Sequence, residues 1–271
     1  MVYMESVERL EKFWHNLIYE QKLSWGKLNV NGAIVAYYPE VPLFVFNHAT
    51  GINVNEDEAE SLLYEVTEYF SSRGVPFGCF RVSPLTRPRS FTSFLENHGF
   101  KKISKQLVMA FKGKKMEYKL NPEVKIKEIP RSEVDLFDKL LLTIFEMPTE
   151  WKNGIDRLML QRKRKGGKFY LAYVERKPVG ICFSLSSMKT GGIFGVGTLK
   201  EYRRRGIGTS LTAHALMDSI NEGNDFHTLQ TEKGGNAERL FKKIGFEVDY
   251  TISYFIKEIH ARPRGLWRPT T

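Results

Sequence analysis

The order helix, Gly-Phe, strand occurs twice in this chain. "RSFTSFLENHGF" leads into "SKQLVMAF" and "NAERLFKKIGF" into "DYTISYFIKEI", so that Gly99-Phe100 and Gly245-Phe246 stand 146 residues apart. Earlier elements repeat as well. In the first half, Val7, Leu10, Trp14, Leu17 and Ile18 fall at helical spacing within Glu5 to Lys22. Strand-like "GAIVAYY" and "PLFVF", a helix capped by Asn55 and stopped at Gly74, and the strand "PFGCFRV" follow. In the second half, "SEVDLFDKLLLTIF" and "EWKNGIDRLMLQRKR" read as helices, "KFYLAYVERKPVGICFSLS" as a hairpin and "GIFGVGTL" as a strand. A further helix and "FHTLQT" complete the set. A repeated mixture of this kind predicts an internal duplication, each copy an α+β unit. The polar, basic segment 112–125 reads as the linker between them. With 271 residues and 42% apolar content the chain can fill two cores.

The helix before "FHTLQT" begins at "YRRRGIGTSL", Tyr202 to Leu211. A helix N-terminus presents unpaired N–H groups and about half a positive charge, which makes it an anion site. Gly206 and Gly208 let a phosphate approach the backbone, and Arg203, Arg204 and Arg205 bring forked cationic donors. A solvated arginine cluster before a helix is the plain alternative. Two nucleotide motifs are excluded: the dinucleotide fingerprint needs glycine where Leu211 stands, and a Walker loop needs Gly-Lys-Ser/Thr. Net charge is +10, divided as +2 over residues 1–115 and +8 over the remainder, which suits an anionic ligand, an acidic substrate or nucleic acid. No apolar run is long enough to span a membrane, and no signal peptide is evident, so a cytoplasmic protein is expected. Cys79 and Cys182 lack metal-ligand spacing and read as core filling in a reducing compartment; no metal is expected. Residues 260–271, rich in Arg and Pro, read as a loose basic tail.

On these residues the second half resembles the GNAT superfamily of acyl-CoA-dependent N-acyltransferases. The resemblance rests on that family's Arg/Gln-x-x-Gly-x-Gly/Ala signature at Arg203 to Gly208 after an apolar strand, and on its later pattern at "NAERLFKKIGF". It covers about residues 122–258 and implies two tandem GNAT-like units, each a mixed, mostly antiparallel sheet flanked by helices. Residues 1–115 would form a degenerate copy without the cofactor signature, and residues 116–259 the N-acetyltransferase domain. Acetyl-CoA is the implied co-substrate. The resemblance assigns the pyrophosphate to Arg203, Arg204, Arg205, Gly206, Ile207 and Gly208, with Thr209 beside them. It assigns the pantetheine arm to the backbone of Val196, Gly197 and Thr198, where Gly195 and Gly197 would permit a strand bulge. Asn236 and Phe241, on the last helix, complete the expected cofactor contacts.

The catalytic groups are less well defined. Many family members place a basic Glu on the strand before the signature, but Gly191-Gly192 stands there in this chain. Glu232, Glu146, Glu150 and a water-relayed base are the alternatives. The family's frequent acid, Tyr in a Leu-Tyr step, is replaced by Leu240-Phe241, which leaves Tyr254, water or an unprotonated leaving thiolate. His214 and His227 are assigned packing or surface roles. The expected acceptor is a primary amine of a small molecule or peptide, and the sequence leaves oligomeric state open. A non-catalytic module that senses CoA or another anion is the rival class. Nucleic acid is a third, resting on "QRKRKGGK" and the basic tail, and is disfavoured because no aromatics interleave the basic run.

Overall fold

The computed structural model describes residues 2–24, 26–30, 32–113 and 120–259. The chain divides into two units, one of residues 1–105 with 251–271 and the other of residues 106–250. The expected boundary at 115 therefore moves to 105, and it falls inside a strand. The chain's last strand also contributes to both units. Within the expected linker, residues 114–119 lie outside the described residues, as does the basic tail 260–271.

Unit 1 begins with helix α1 (Val2–Tyr19), followed by strands β1 (Gly26–Val30), β2 (Ala33–Tyr37) and β3 (His48–Thr50). Helix α2 (Ala59–Ser72), strand β4 (Phe77–Val82) and helix α3 (Phe91–Asn97) follow. The β1–β2 and β2–β3 pairs are antiparallel, while β3 runs parallel to β4 across the α2 crossover. "PLFVF" is not a strand. The buried Asn47 side chain accepts the Tyr38 N–H at 2.7 Å and donates to the Val41 and Leu43 carbonyls at 3.0 Å each, so those backbone groups are satisfied in a turn instead of a ladder. Apolar residues of α2, α3 and the strands, among them Leu62, Val66, Phe70, Phe80, Phe91 and Leu95, form the core. Below it lies a buried ion pair. Arg81 donates to both carboxylate oxygens of Glu11 at 2.7 Å and to Thr50 Oγ1 at 3.2 Å.

Unit 2 contains the second part of β5 (Lys101–Phe111), β6 (Lys125–Glu128), helices α4 (Val134–Ile144) and α5 (Lys152–Arg164), and strands β7 (Lys168–Val174), β8 (Lys177–Ser187) and β9 (Thr190–Thr198). It continues with helix α6 (Ile207–Asn221), strand β10 (Phe226–Glu232), helix α7 (Asn236–Ile244) and the start of β11 (Phe246–Glu258). The β6–β7, β7–β8, β8–β9 and β5–β10 pairs are antiparallel; β9 and β10, joined by α6, are parallel. The duplication is thus visible in space, since each unit contains a β-α-β crossover with a parallel pair. Helices α3 and α7 each stop at a glycine with positive φ, Gly99 at +81° and Gly245 at +109°, as the repeated Gly-Phe predicts. The basic run "QRKRKGGK" is the C-terminal turn of α5. There Arg162 is buried with its guanidinium over Phe183, and Lys163 pairs with Glu128 at 3.0 Å.

The strands that follow the two Gly-Phe steps are exchanged. Residues 106–110 of β5 pair with β10 in unit 2, and residues 253–258 of β11 pair with β4 in unit 1. Phe255 is fully buried in the unit 1 core as a result. Phe255→Ala should therefore cost about 3–5 kcal/mol, the usual penalty for emptying a buried phenylalanine site. Chemical denaturation of the full chain, followed by a probe in unit 1, checks this; a loss under about 1 kcal/mol would contradict the pairing.

Candidate active site

The site begins where two strands part. The last residues paired between β9 and β10 are Ile193 and Leu229. Beyond them β9 stays on β8 as far as the Thr198–Gly180 pair, and β10 stays on β5 as far as Glu232–Gln106. Between these points the edge of β9 facing β10 has no ladder partner. The cause is local. The β8–β9 register shifts between Ile181 and Phe183, opposite Gly195, whose φ is +58°. Phe194 stacks on Phe183 at 5.2 Å, and a Cβ on Gly195 would lie 3.0 Å from the same ring. Two successive residues thus face one side, which is the mark of a bulge. Gly197 is needed for a different reason: a Cβ there would sit 2.5 Å from Ile144 Cγ2, so its absence lets the end of α4 close over the strand.

The parted strands lead to the N-terminus of α6. Gly206 takes the N-cap position in the left-handed region with φ +77°, and Arg204 precedes it at +65°. Asn121 Nδ2 donates to the Arg205 carbonyl at 2.9 Å and holds the turn from outside. Ser210 N–H is the first to reach back, to Gly206 O at 3.0 Å, so the N–H groups of Ile207, Gly208 and Thr209 precede the helical ladder. No side chain caps this end and no acid lies in its first turn. The N-terminal segment preceding α2, at the corresponding place in unit 1, differs. Glu56, Asp57 and Glu58 fill its first turn, and Asn55 N–H donates to Glu58 Oε2 at 2.9 Å. Those carboxylates already complement the helix end and would repel a phosphate.

A cleft of about 620 Å³ joins the two features. Of the expected cofactor residues, it brings together Val196, Gly197, Thr198, Arg203, Arg204, Gly206, Ile207, Gly208, Thr209, Asn236 and Phe241. Arg205 is the exception. Its guanidinium lies over the Tyr202 ring at 5.2 Å instead of lining the cleft. Arg203 has a second function, since its Nε donates to the Thr198 carbonyl at 3.2 Å and ties the loop to the end of β9. Ile144 and Phe145 at the end of α4, and Arg239, Leu240 and Lys243 on α7, also line the cleft and were not expected from the sequence. Asn236, Arg239, Leu240 and Lys243 follow helical spacing, the signal that could have found them.

The expected catalytic residues are not assembled in this cleft. Glu232 is exposed at the end of β10, three residues past that strand's last pair with β9. Glu146, with φ +50°, and Glu150 are exposed in the segment between α4 and α5. Tyr254 belongs to unit 1. It pairs with Arg81 of β4, packs edge-on against Phe44 and His48, and has its hydroxyl pushed up to about 12, chiefly by burial. It is corrected from candidate acid to core residue, because the strand that follows α7 crosses into the other unit. At the first of the two glycines, Gly191, a side chain is excluded: a Cβ there would collide with Ser219 Oγ, which itself meets His227 Nδ1 at 3.1 Å. His214 packs edge-on to Tyr170 with its side chain partly exposed, and His227 is buried against Ser219, so neither lines the cleft. A carboxyl with a strongly raised pKa, Asp138 of α4, is pushed up to about 8 by burial and by the neighbouring Asp156, but it does not line the cleft. Both cysteines are free and buried. Among the described residues no group of His, Cys, Asp or Glu could hold a metal ion, and no helix is long and apolar enough to cross a membrane.

Comparison with known proteins agrees with this geometry. Residues 165–248 match the sequence model of the acetyltransferase (GNAT) domain. A GCN5-related N-acetyltransferase from Kribbella flavida has a similar structure at 17% identity, with 92% of this chain and 94% of that one covered and a TM-score of 0.72. A GCN5-related N-acetyltransferase from Sphaerobacter thermophilus is similar at 17% identity, covering 86% and 78%, with a TM-score of 0.65. A tandem GNAT protein from the clavulanic acid biosynthesis pathway is similar at 11% identity, covering 87% and 82%, with a TM-score of 0.60. No curated protein matches the chain at a significant level.

The glycine requirement at the cleft can be tested directly. A Cβ on Gly208 would lie 3.0 Å from Leu240 Cδ1 and 3.9 Å from Val196 Cγ1, both cleft residues, and Gly208 φ is not positive. Gly208→Val requires the end of the Leu240 side chain to give by a few tenths of an ångström; valine is otherwise no worse than glycine in a helix, so the fold should be kept while its branches narrow the cleft at the start of α6. The expected result is at least about a hundredfold loss of CoA affinity by calorimetry with little change in melting temperature. Unchanged affinity would refute the assignment.

Proposed function

From a chain that carries a GNAT acetyltransferase domain within a tandem GNAT arrangement, we propose an N-acetyltransferase that moves the acetyl group of acetyl-CoA to a primary amine of a small molecule or peptide. The observation that carries the proposal is the parting of β9 from β10 above an uncapped, acid-free helix N-terminus. An extended arm can pair with the free edge of β9 while a pyrophosphate meets the N–H groups of Ile207, Gly208 and Thr209, with Arg203 and Arg204 beside them. Reaction takes place in a ternary complex. The neutral amine attacks the thioester carbonyl, a C–N bond forms, and a backbone N–H at the bulge stabilises the oxyanion. The C–S bond then breaks, and the thiolate takes a proton from water or leaves as the anion; Phe241 supplies none.

Removal of the amine's proton is assigned to Glu232, directly or through water, because it is the carboxylate at the end of β10, the strand that parts from β9 at the opening. Glu232→Gln preserves shape and removes basicity, so kcat should fall by about a hundredfold while CoA affinity holds. Activity equal to wild type across pH would transfer the role to Glu146, Glu150 or water alone.

The absence of any carboxylate from the cleft lining supports a second reading, a CoA-binding module without turnover. Thiol release from acetyl-CoA in the presence of an amine panel separates the two, since the module releases none. Under either reading unit 1 is a copy without a cofactor site. Calorimetric titration of the full chain should give one CoA per chain, and two equivalent sites would overturn that assignment. The intact chain is required, because a fragment ending at residue 115 would lack the strand that pairs with β4.

A further inference from the structure

The cleft contains more positive charge than a pyrophosphate requires. Arg203, Arg204, Arg239 and Lys243 all line it, and no Asp or Glu does. A pyrophosphate diester carries two negative charges, and the α6 N-terminus already supplies about half a positive charge against them. Two cations are left over, and they are the two on α7.

Their placement is specific. Asn236, Arg239 and Lys243 succeed one another at helical spacing along the cleft side of α7. Leu240, between the two cations in sequence, is the residue that a Cβ on Gly208 would touch at 3.0 Å, so α7 packs beside the first turn of α6, and both cations line the same cleft as that turn. The Arg239 guanidinium donates to Asn236 Oδ1, which orients it within that face. The acid on the same helix is engaged elsewhere: Glu238 accepts from Lys242 at 2.6 Å and from the Gly234 N–H at 2.6 Å, and these contacts hold its carboxyl below the usual range. Among the described residues no carboxylate pairs with Arg203, Arg204, Arg239 or Lys243. A lysine in the last turn of a helix complements its dipole, but Arg239 lies in the middle of the helix and gains nothing from that effect.

We propose that Arg239 and Lys243 form a second phosphate subsite, which reads the 3′-phosphate on the ribose of CoA. A phosphomonoester carries nearly two negative charges at neutral pH and three acceptor oxygens, which matches a forked guanidinium and a nearby ammonium. Four cations then meet four negative charges. The proposal rests on the acyltransferase reading for the identity of the ligand and adds that the cleft distinguishes CoA from its dephospho form.

Calorimetry with the full chain at low salt tests it. Wild type should bind CoA about tenfold or more tightly than dephospho-CoA, and the preference should shrink as salt rises. Arg239→Ala/Lys243→Ala should weaken CoA to the level of dephospho-CoA and leave dephospho-CoA affinity and melting temperature nearly unchanged. Equal affinity of wild type for the two ligands would overturn the subsite alone, with the acyltransferase reading intact. An equal loss for both ligands in the double variant would overturn it too, by assigning these cations to the pyrophosphate. Failure of wild type to bind either ligand would overturn both proposals together.

Discussion

The lost pairing between β9 and β10 past Ile193 and Leu229 is the constraint on which the site depends. A strand inside a sheet has its backbone groups committed to neighbours, and uncommitted ones inside a fold are costly unless a ligand or water reaches them. Here the bulge at Gly195 rotates β9 while β8 holds it on the other side. The cost of an open edge is accepted where the chain also presents the unpaired N–H groups of α6. Backbone of two kinds, strand edge and helix end, thus opens onto one cleft. The glycines serve this arrangement through packing and conformation: Gly195 allows the bulge, Gly197 lets the end of α4 close over the strand, and Gly206 takes a left-handed N-cap.

Unit 1 shows what the same architecture becomes when that offer is withdrawn. Its crossover is built alike, with a parallel pair joined by a helix, yet three acids and a capping contact satisfy the N-terminal turn before α2. Unit 1 also buries the Arg81–Glu11 pair with Thr50. Removing one member would leave an uncompensated buried charge, so the network fixes its own partners in place.

Much of this was legible in the sequence, because glycine and arginine carry their reasons locally. Gly206 and Gly208, the strand glycines, the charge asymmetry and the repeated Gly-Phe stop each follow from backbone geometry or from a short-range electrostatic argument. Strand neighbours were not legible. Alternation along "DYTISYFIKEI" shows which residues face a core but not which core, so Tyr254 was placed by chain order near a site that its strand has already left. "PLFVF" has the pattern of a strand and lost to the buried Asn47, a contact nine residues from one of its partners. Arg239 and Lys243 received no reading from the sequence, although they share helical spacing with Asn236; the cleft lining shows that their face of α7 is the cleft wall.

The central claim is that one ligand engages main-chain groups of β9 and α6 together, and amide hydrogen exchange on the intact chain reads those groups individually. The account predicts that the amides of Val196 and of Ile207 to Thr209 exchange rapidly in the free protein and gain protection together when CoA is added, while those of residues 56–60 do not change. Protection that appears in residues 56–60, or that leaves Val196 and Ile207 to Thr209 as they were, would contradict it.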